Sequence, residues 1–232
     1  MGMAERPAQA AGDGDAAPVA ESPGADAGVD AVGTGGRTAL DVAVRAGHAD
    51  AVRALLAAGA DPVQRAGEYG ESTPLCLAAM YGHTDVVEAL LDVGAPTGAQ
   101  GRLGHVPLVL AVTAVEEGRP ETVHALLSRG ADIDARMKGR TSLEWAAAFG
   151  QVGMVRDLLA RGATPTPKAL SEARAGAERS PKAAEKYALV VGTLLAAGAD
   201  VGRDGPRSGR VGTSPGRTPG ESGPARPAPG TV

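Results

Sequence analysis

A six-residue pattern, Leu-Leu-x-x-Gly-Ala, occurs five times in this chain, at residues 55–60, 90–95, 126–131, 158–163 and 194–199. Successive occurrences are 35, 36, 32 and 36 residues apart. A period of that size makes each interval one supersecondary unit. Such a unit cannot bury its apolar face alone, so the units must stack. Each occurrence reads as the end of an amphipathic helix. The leucine pair forms a stripe with apolar residues one turn earlier, such as Val52 before Leu55 and Leu56, or Met154 and Val155 before Leu158 and Leu159. The glycine suits the left-handed position that ends a helix, where a Cβ is penalised.

A second, shorter helix is expected upstream of each of these. Thr38, Thr73 and Thr141 stand where a hydroxyl can cap its first turn, and Pro74 sits just inside the start, where no N–H is needed. Small residues follow (Ala78, Ala79, Ala146, Ala147), which lets neighbouring helices approach closely. Gly47-His48, Gly82-His83 and Gly150-Gln151 separate the two helices, and Asp50 and Asp85 fall in the first turn of the next one, on the favourable side of its dipole.

Thr-Pro-Leu-x-x-Ala-Ala, then Gly-His, then Leu-Leu-x-x-Gly-Ala-Asp resembles the ankyrin repeat. The resemblance covers about residues 36–201. It implies an all-α solenoid of about five units, near 36–70, 71–104, 105–138, 139–165 and 166–201. Two units depart from the pattern. The third starts at Val106 without a capping threonine and carries extra residues at 113–117. The fifth has almost no hairpin loop, and a charged insertion at about 171–186 is expected to separate its helices. It is read as a terminal cap with a polar outer face.

Composition fits thin helical layers. Apolar residues are 43 % of the chain but aromatics only 2 %, so the core must be built from Ala, Leu and Val. Residues 1–35 hold six acids against one base, and residues 202–232 hold five arginines against two acids. Neither stretch has enough large apolar side chains to offset the entropy of ordering, so both are expected to be disordered tails. The formal charge of −4 leaves no overall basic footprint for nucleic acid. No apolar run is long enough to span a membrane. The lone Cys76 forms no internal disulfide, in keeping with a reducing cytoplasm, and a monomeric, cytoplasmic protein is expected.

Residues that could carry chemistry have structural explanations. His48 and His83 occupy the same repeat position and are expected to bond locally. The four histidines are too scattered for a metal site. The glycine-rich stretch at 33–38 lacks the lysine of a phosphate loop and falls in the loop entering the first unit. Cys76 has no histidine in register and reads as a packing residue. No catalytic residue, cofactor or metal is therefore expected.

The ankyrin resemblance implies protein binding through the concave face and hairpin tips, as scaffold, adaptor or inhibitor. Transferred onto this chain, the first-helix ends give Arg45, Met80, Tyr81 and Phe149. The tips give Tyr69, Arg102, Leu103, His105, Met137, Lys138 and Arg140. Tyr81 and Phe149 occupy matching positions two units apart, as large side chains at interfaces do. Trp145 aligns with Val42, Leu77 and Leu110 and is expected in the core. A second reading gives the main contacts to the charged tails, as in a regulatory or antitoxin-like protein.

Overall fold

The computed structural model describes residues 11–14, 28–33, 36–65, 72–98, 104–114 and 117–199. The expected tail at 202–232 and most of that at 1–35 lie outside the described residues. Five helix pairs follow one another. They are α1 (Ala39–Ala46) with α2 (Ala49–Ala57), α3 (Pro74–Tyr81) with α4 (Thr84–Asp92), α5 (Pro107–Thr113) with α6 (Pro120–Ser128), α7 (Ser142–Phe149) with α8 (Val152–Ala160), and α9 (Pro167–Arg179) with α10 (Ala184–Ala196). A 3₁₀ turn at Pro181–Ala183 joins the last two. The described residues contain no strand but include isolated bridge positions at Ser72, His105, Met137 and Arg140, the last two paired with each other. First helices stack on first helices from α1 through α9. Among second helices, α2 packs on α4, α4 on α6, and α8 on α10.

The recurrent motif has one structural cause. In all five copies the alanine N–H reaches back to the carbonyl of the first leucine, at 2.9–3.1 Å, and the glycine N–H bonds the carbonyl of the second. This is a Schellman ending, in which a left-handed glycine satisfies carbonyls that would otherwise be orphaned. The first leucine of each copy is fully buried. Its side chain fills the core while its carbonyl ends the helix, so two separate constraints maintain one short pattern.

At the other end of the first helices, the hydroxyls of Thr38, Thr73, Thr141 and Thr166 accept from the backbone N–H three residues on. Glu144 bonds back to the Thr141 N–H and completes a capping box. Val106 provides no side-chain cap.

The units are also joined by polar bonds, and here the expectation of local histidine bonding is corrected. His83 Nε2 reaches the carbonyl of Arg45 in the preceding unit (3.1 Å). Gln151 Nε2 donates to the Val112 carbonyl (2.9 Å) and the Tyr187 hydroxyl to the Ala148 carbonyl (3.1 Å). A carbonyl only accepts, so His83 carries its proton on Nε2. Each bond satisfies an orphan carbonyl near the end of a first helix.

The same geometry continues upstream of residue 36, the expected start of the stack. Residues 11–13 are helical and Ala11 is buried. His48 Nε2 meets the Gly12 carbonyl at 3.0 Å, as His83 meets Arg45. Gly14 (φ 78°) lies against the His48 ring as Gly47 (φ 79°) lies against that of His83. Asp30 accepts from the Asp61 N–H at 3.1 Å, as Asp134 does from Thr164. Residues 11–14 and 28–33 thus occupy the places of a preceding unit's first-helix end and hairpin. The apolar residues that mark the other units are missing there, which hides the unit from sequence reading.

Two expectations for the fifth unit also change. The charged segment at 171–186 is mostly helix and lengthens both α9 and α10 to 13 residues. The outer face of α10 is not polar: Leu189 and Leu195 are 51 % and 44 % exposed.

Candidate protein-binding face

The left-handed glycines that end α1 and α3 turn the chain sharply, so the residues before them stand at one edge of the stack. Arg45 and Tyr81 are such residues. Arg45 Nε donates to Asp41 at 2.9 Å, and its Nη1 to the Tyr81 hydroxyl at 3.3 Å. The Tyr81 ring stacks on His83 (5.9 Å between centroids), and His83 bonds back to the Arg45 carbonyl. Arg45, Tyr81 and His83 therefore hold one another in a closed set that bridges two units. Burial opposes the Arg45 charge, but Asp41 and Tyr81 outweigh it and raise the guanidinium above its ordinary pKa. Tyr81 remains 37 % exposed. Met80 is half-buried against the core.

Two units on, Phe149 is 43 % exposed and stacks on Trp145 at 5.7 Å. The Arg140 guanidinium lies 4.7 Å over the Trp145 ring and pairs with Glu172 at 2.6 Å. Trp145 was expected in the core but is half-buried. Of its counterparts, Val42 and Leu110 are half-buried too while Leu77 is buried, so the cover at this helical position varies from unit to unit. Trp145 and Phe149 are four residues apart on α7, so an exposed Phe149 brings the indole to the same edge. That spacing was the available sequence signal.

The hairpin tips divide. Met137 was expected to face a partner, yet it is buried. Met137 and Arg140 exchange backbone bonds of 2.9 and 3.1 Å around Lys138 (φ 52°) and Gly139 (φ 74°). Two positive φ values make a tight turn that sends Lys138 outward while Met137 packs inward. His105 is half-buried, with Nδ1 3.0 Å from the Ser72 hydroxyl and its carbonyl accepting from the Cys76 thiol. Tyr69, Arg102 and Leu103 lie outside the described residues.

Arg119 is a residue that sequence reading missed. It caps α6 where His48, His83 and Gln151 cap their helices. Those three donate to the preceding unit; Arg119 instead lies along Gly82, where a Cβ would overlap its Cδ, Nε and Nη1. Its Nε is buried with no hydrogen-bond partner.

Stacked helix pairs tied by Schellman ends and cross-unit bonds define an α-solenoid repeat protein. The family model "Ankyrin repeats (3 copies)" matches residues 64–137, and "Ankyrin repeat" matches residues 35–66. The chain thus carries ankyrin repeats over residues 35–137. The helix-pair geometry continues past the matched residues through α10. No curated protein matches the chain. Ankyrin repeats are generally protein–protein interaction modules and are typically non-enzymatic. No helix among the described residues is long and apolar enough to cross a membrane.

Proposed function

We propose that this chain is a monomeric, cytoplasmic scaffold, adaptor or inhibitor that binds one partner protein through the edge carrying Arg45, Tyr81, Trp145, Phe149 and Arg140. The observation that carries the reading is the exposure of Tyr81 and Phe149 at matching positions on α3 and α7. Rigid aromatics backed by arginine are the side chains that dominate interface energies. Both aromatics are braced, Tyr81 by Arg45 and His83 and Phe149 by Trp145. Little conformational entropy would be lost on binding.

The test is affinity capture with the intact chain and with Tyr81→Ala/Phe149→Ala. The partner should be lost from the double variant while circular dichroism stays unchanged. An unchanged partner list rejects the face. Removal of residues 202–232 tests the tail reading: capture that survives this truncation but not the aromatic change assigns the contacts to the repeats.

A further inference from the structure

Accepting that binding edge, we propose that its occupant is an extended acidic segment of the partner, with a large apolar residue at each end. Two clusters on the edge share one chemistry, an aromatic anchor surrounded by more cations than carboxylates.

At the first cluster, Arg45 and Arg119 flank Tyr81-Gly82, and Arg37 stands behind. The buried Asp41 serves two of them, its Oδ2 lying 2.9 Å from Arg45 and 3.9 Å from Arg37. Glu117, two residues before Arg119, is held by Lys186 at 3.3 Å. Arg37 and Arg45 thus share Asp41, and Arg119 has no ion pair with a carboxylate among the described residues. At the second cluster, Arg140 takes Glu172, and Arg136 and Lys168 share the buried Glu144 at 3.6 and 3.5 Å. Lys138 stands exposed on the neighbouring turn. Four cations there face two carboxylates.

This positive edge belongs to a chain whose formal charge is −4, so its sign runs against the molecule's. Such segregation steers a partner of the opposite charge and repels one of the same charge. Arg119 adds an independent sign. Its counterparts in other units use their side chains to bond the preceding unit, whereas Arg119 brings a full charge and leaves a buried donor unused. The carbonyl end of α3 gives that charge a favourable dipole.

The spacing defines the ligand's length. Packed helices lie roughly 8–10 Å apart, so Tyr81 and Phe149, two units apart, are separated by about 20 Å. An extended chain rises about 3.3 Å per residue, so about six residues span the anchors.

The experiment is fluorescence anisotropy of the full chain with three labelled heptapeptides. Each has an aromatic residue at both ends and five central residues that are all acidic, all serine or all lysine. The acidic peptide should bind at least about tenfold more tightly than the serine peptide at low salt, and lose that advantage as salt rises. Arg119→Gln and Arg140→Gln should each weaken it about two- to fivefold, the range of exposed ion pairs, and leave the serine peptide unaffected. Equal binding of acidic and serine peptides, or a preference for lysine, overturns the proposal. If partner capture still depends on Tyr81 and Phe149 in that case, the binding edge stands and only its acidic preference falls. A fall in thermal stability of either arginine variant would shift the test to Lys138→Gln, whose side chain is exposed.

Discussion

Two glycines in the last helix pair should respond oppositely to the same substitution. Gly192 lies inside α10, and a Cβ built there meets nothing within 4 Å. Alanine adds no clash and favours the helix by about 0.5–1 kcal/mol. Gly176 lies inside α9, and a Cβ there would overlap Cε1, Cζ and Cδ1 of Tyr187. The ring cannot easily yield, because its hydroxyl is bonded to the Ala148 carbonyl at 3.1 Å and its other contacts are with Gly150. Overpacking of this kind costs about 1–3 kcal/mol. Taking its upper half, about 2.5 kcal/mol, and subtracting the helix gain of about 0.5–1 kcal/mol leaves Gly176→Ala destabilised by about 1.5–2 kcal/mol. In a fold of this size that lowers Tm by about 3–8 °C, while Gly192→Ala raises it by about 1–4 °C. Thermal unfolding followed by far-ultraviolet circular dichroism reads both. The double variant Gly176→Ala/Tyr187→Ala isolates the ring: relative to Tyr187→Ala alone, the alanine should then stabilise. A neutral or stabilising Gly176→Ala in the otherwise intact chain would refute the packing of α9 against α10.

Leu90→Ala should cost about 2–5 kcal/mol in a urea titration, because the side chain is fully buried mid-stack, whereas the 44 % exposed Leu195→Ala should cost less than about 1 kcal/mol. Burial raises the Cys76 thiol pKa, partly offset by bonding to Thr73. The folded state then keeps its proton to higher pH than the unfolded chain, so this stability is present below the unfolded thiol's pKa and is lost as pH rises through the folded one. Urea midpoints of the wild type should therefore fall relative to Cys76→Ala in alkaline buffer, and parallel profiles would contradict it. Deleting residues 1–14 removes the Gly12 carbonyl, so His48→Ala should cost about 1 kcal/mol in the full chain and close to nothing in the truncated one.

The repeat was legible because it depends on local physics. A threonine cap, a left-handed glycine and a buried leucine each constrain the chain within a few residues, and the pattern recurs wherever the constraints do. Tyr81 and Phe149 were legible for the same reason: register alone puts them at helix ends. What register could not decide was environment. Met137 and Lys138 are adjacent at one tip, yet a turn with two positive φ values buries one and exposes the other. Trp145 shares a position with the buried Leu77 and the half-buried Val42 and Leu110, so the neighbouring unit and not the register sets its cover. The cross-unit bonds of His48, His83 and Gln151 span 36–39 residues, so no local pattern reveals them. The unit made by residues 11–14 and 28–33 exists only through such bonds and a single glycine against a ring. The sequence by itself determined a stack of helix pairs, because short-range hydrogen bonding and periodic burial specify each pair. Tertiary structure alone decided where the stack begins and which side chains remain at its edge, because both depend on what the neighbouring unit covers.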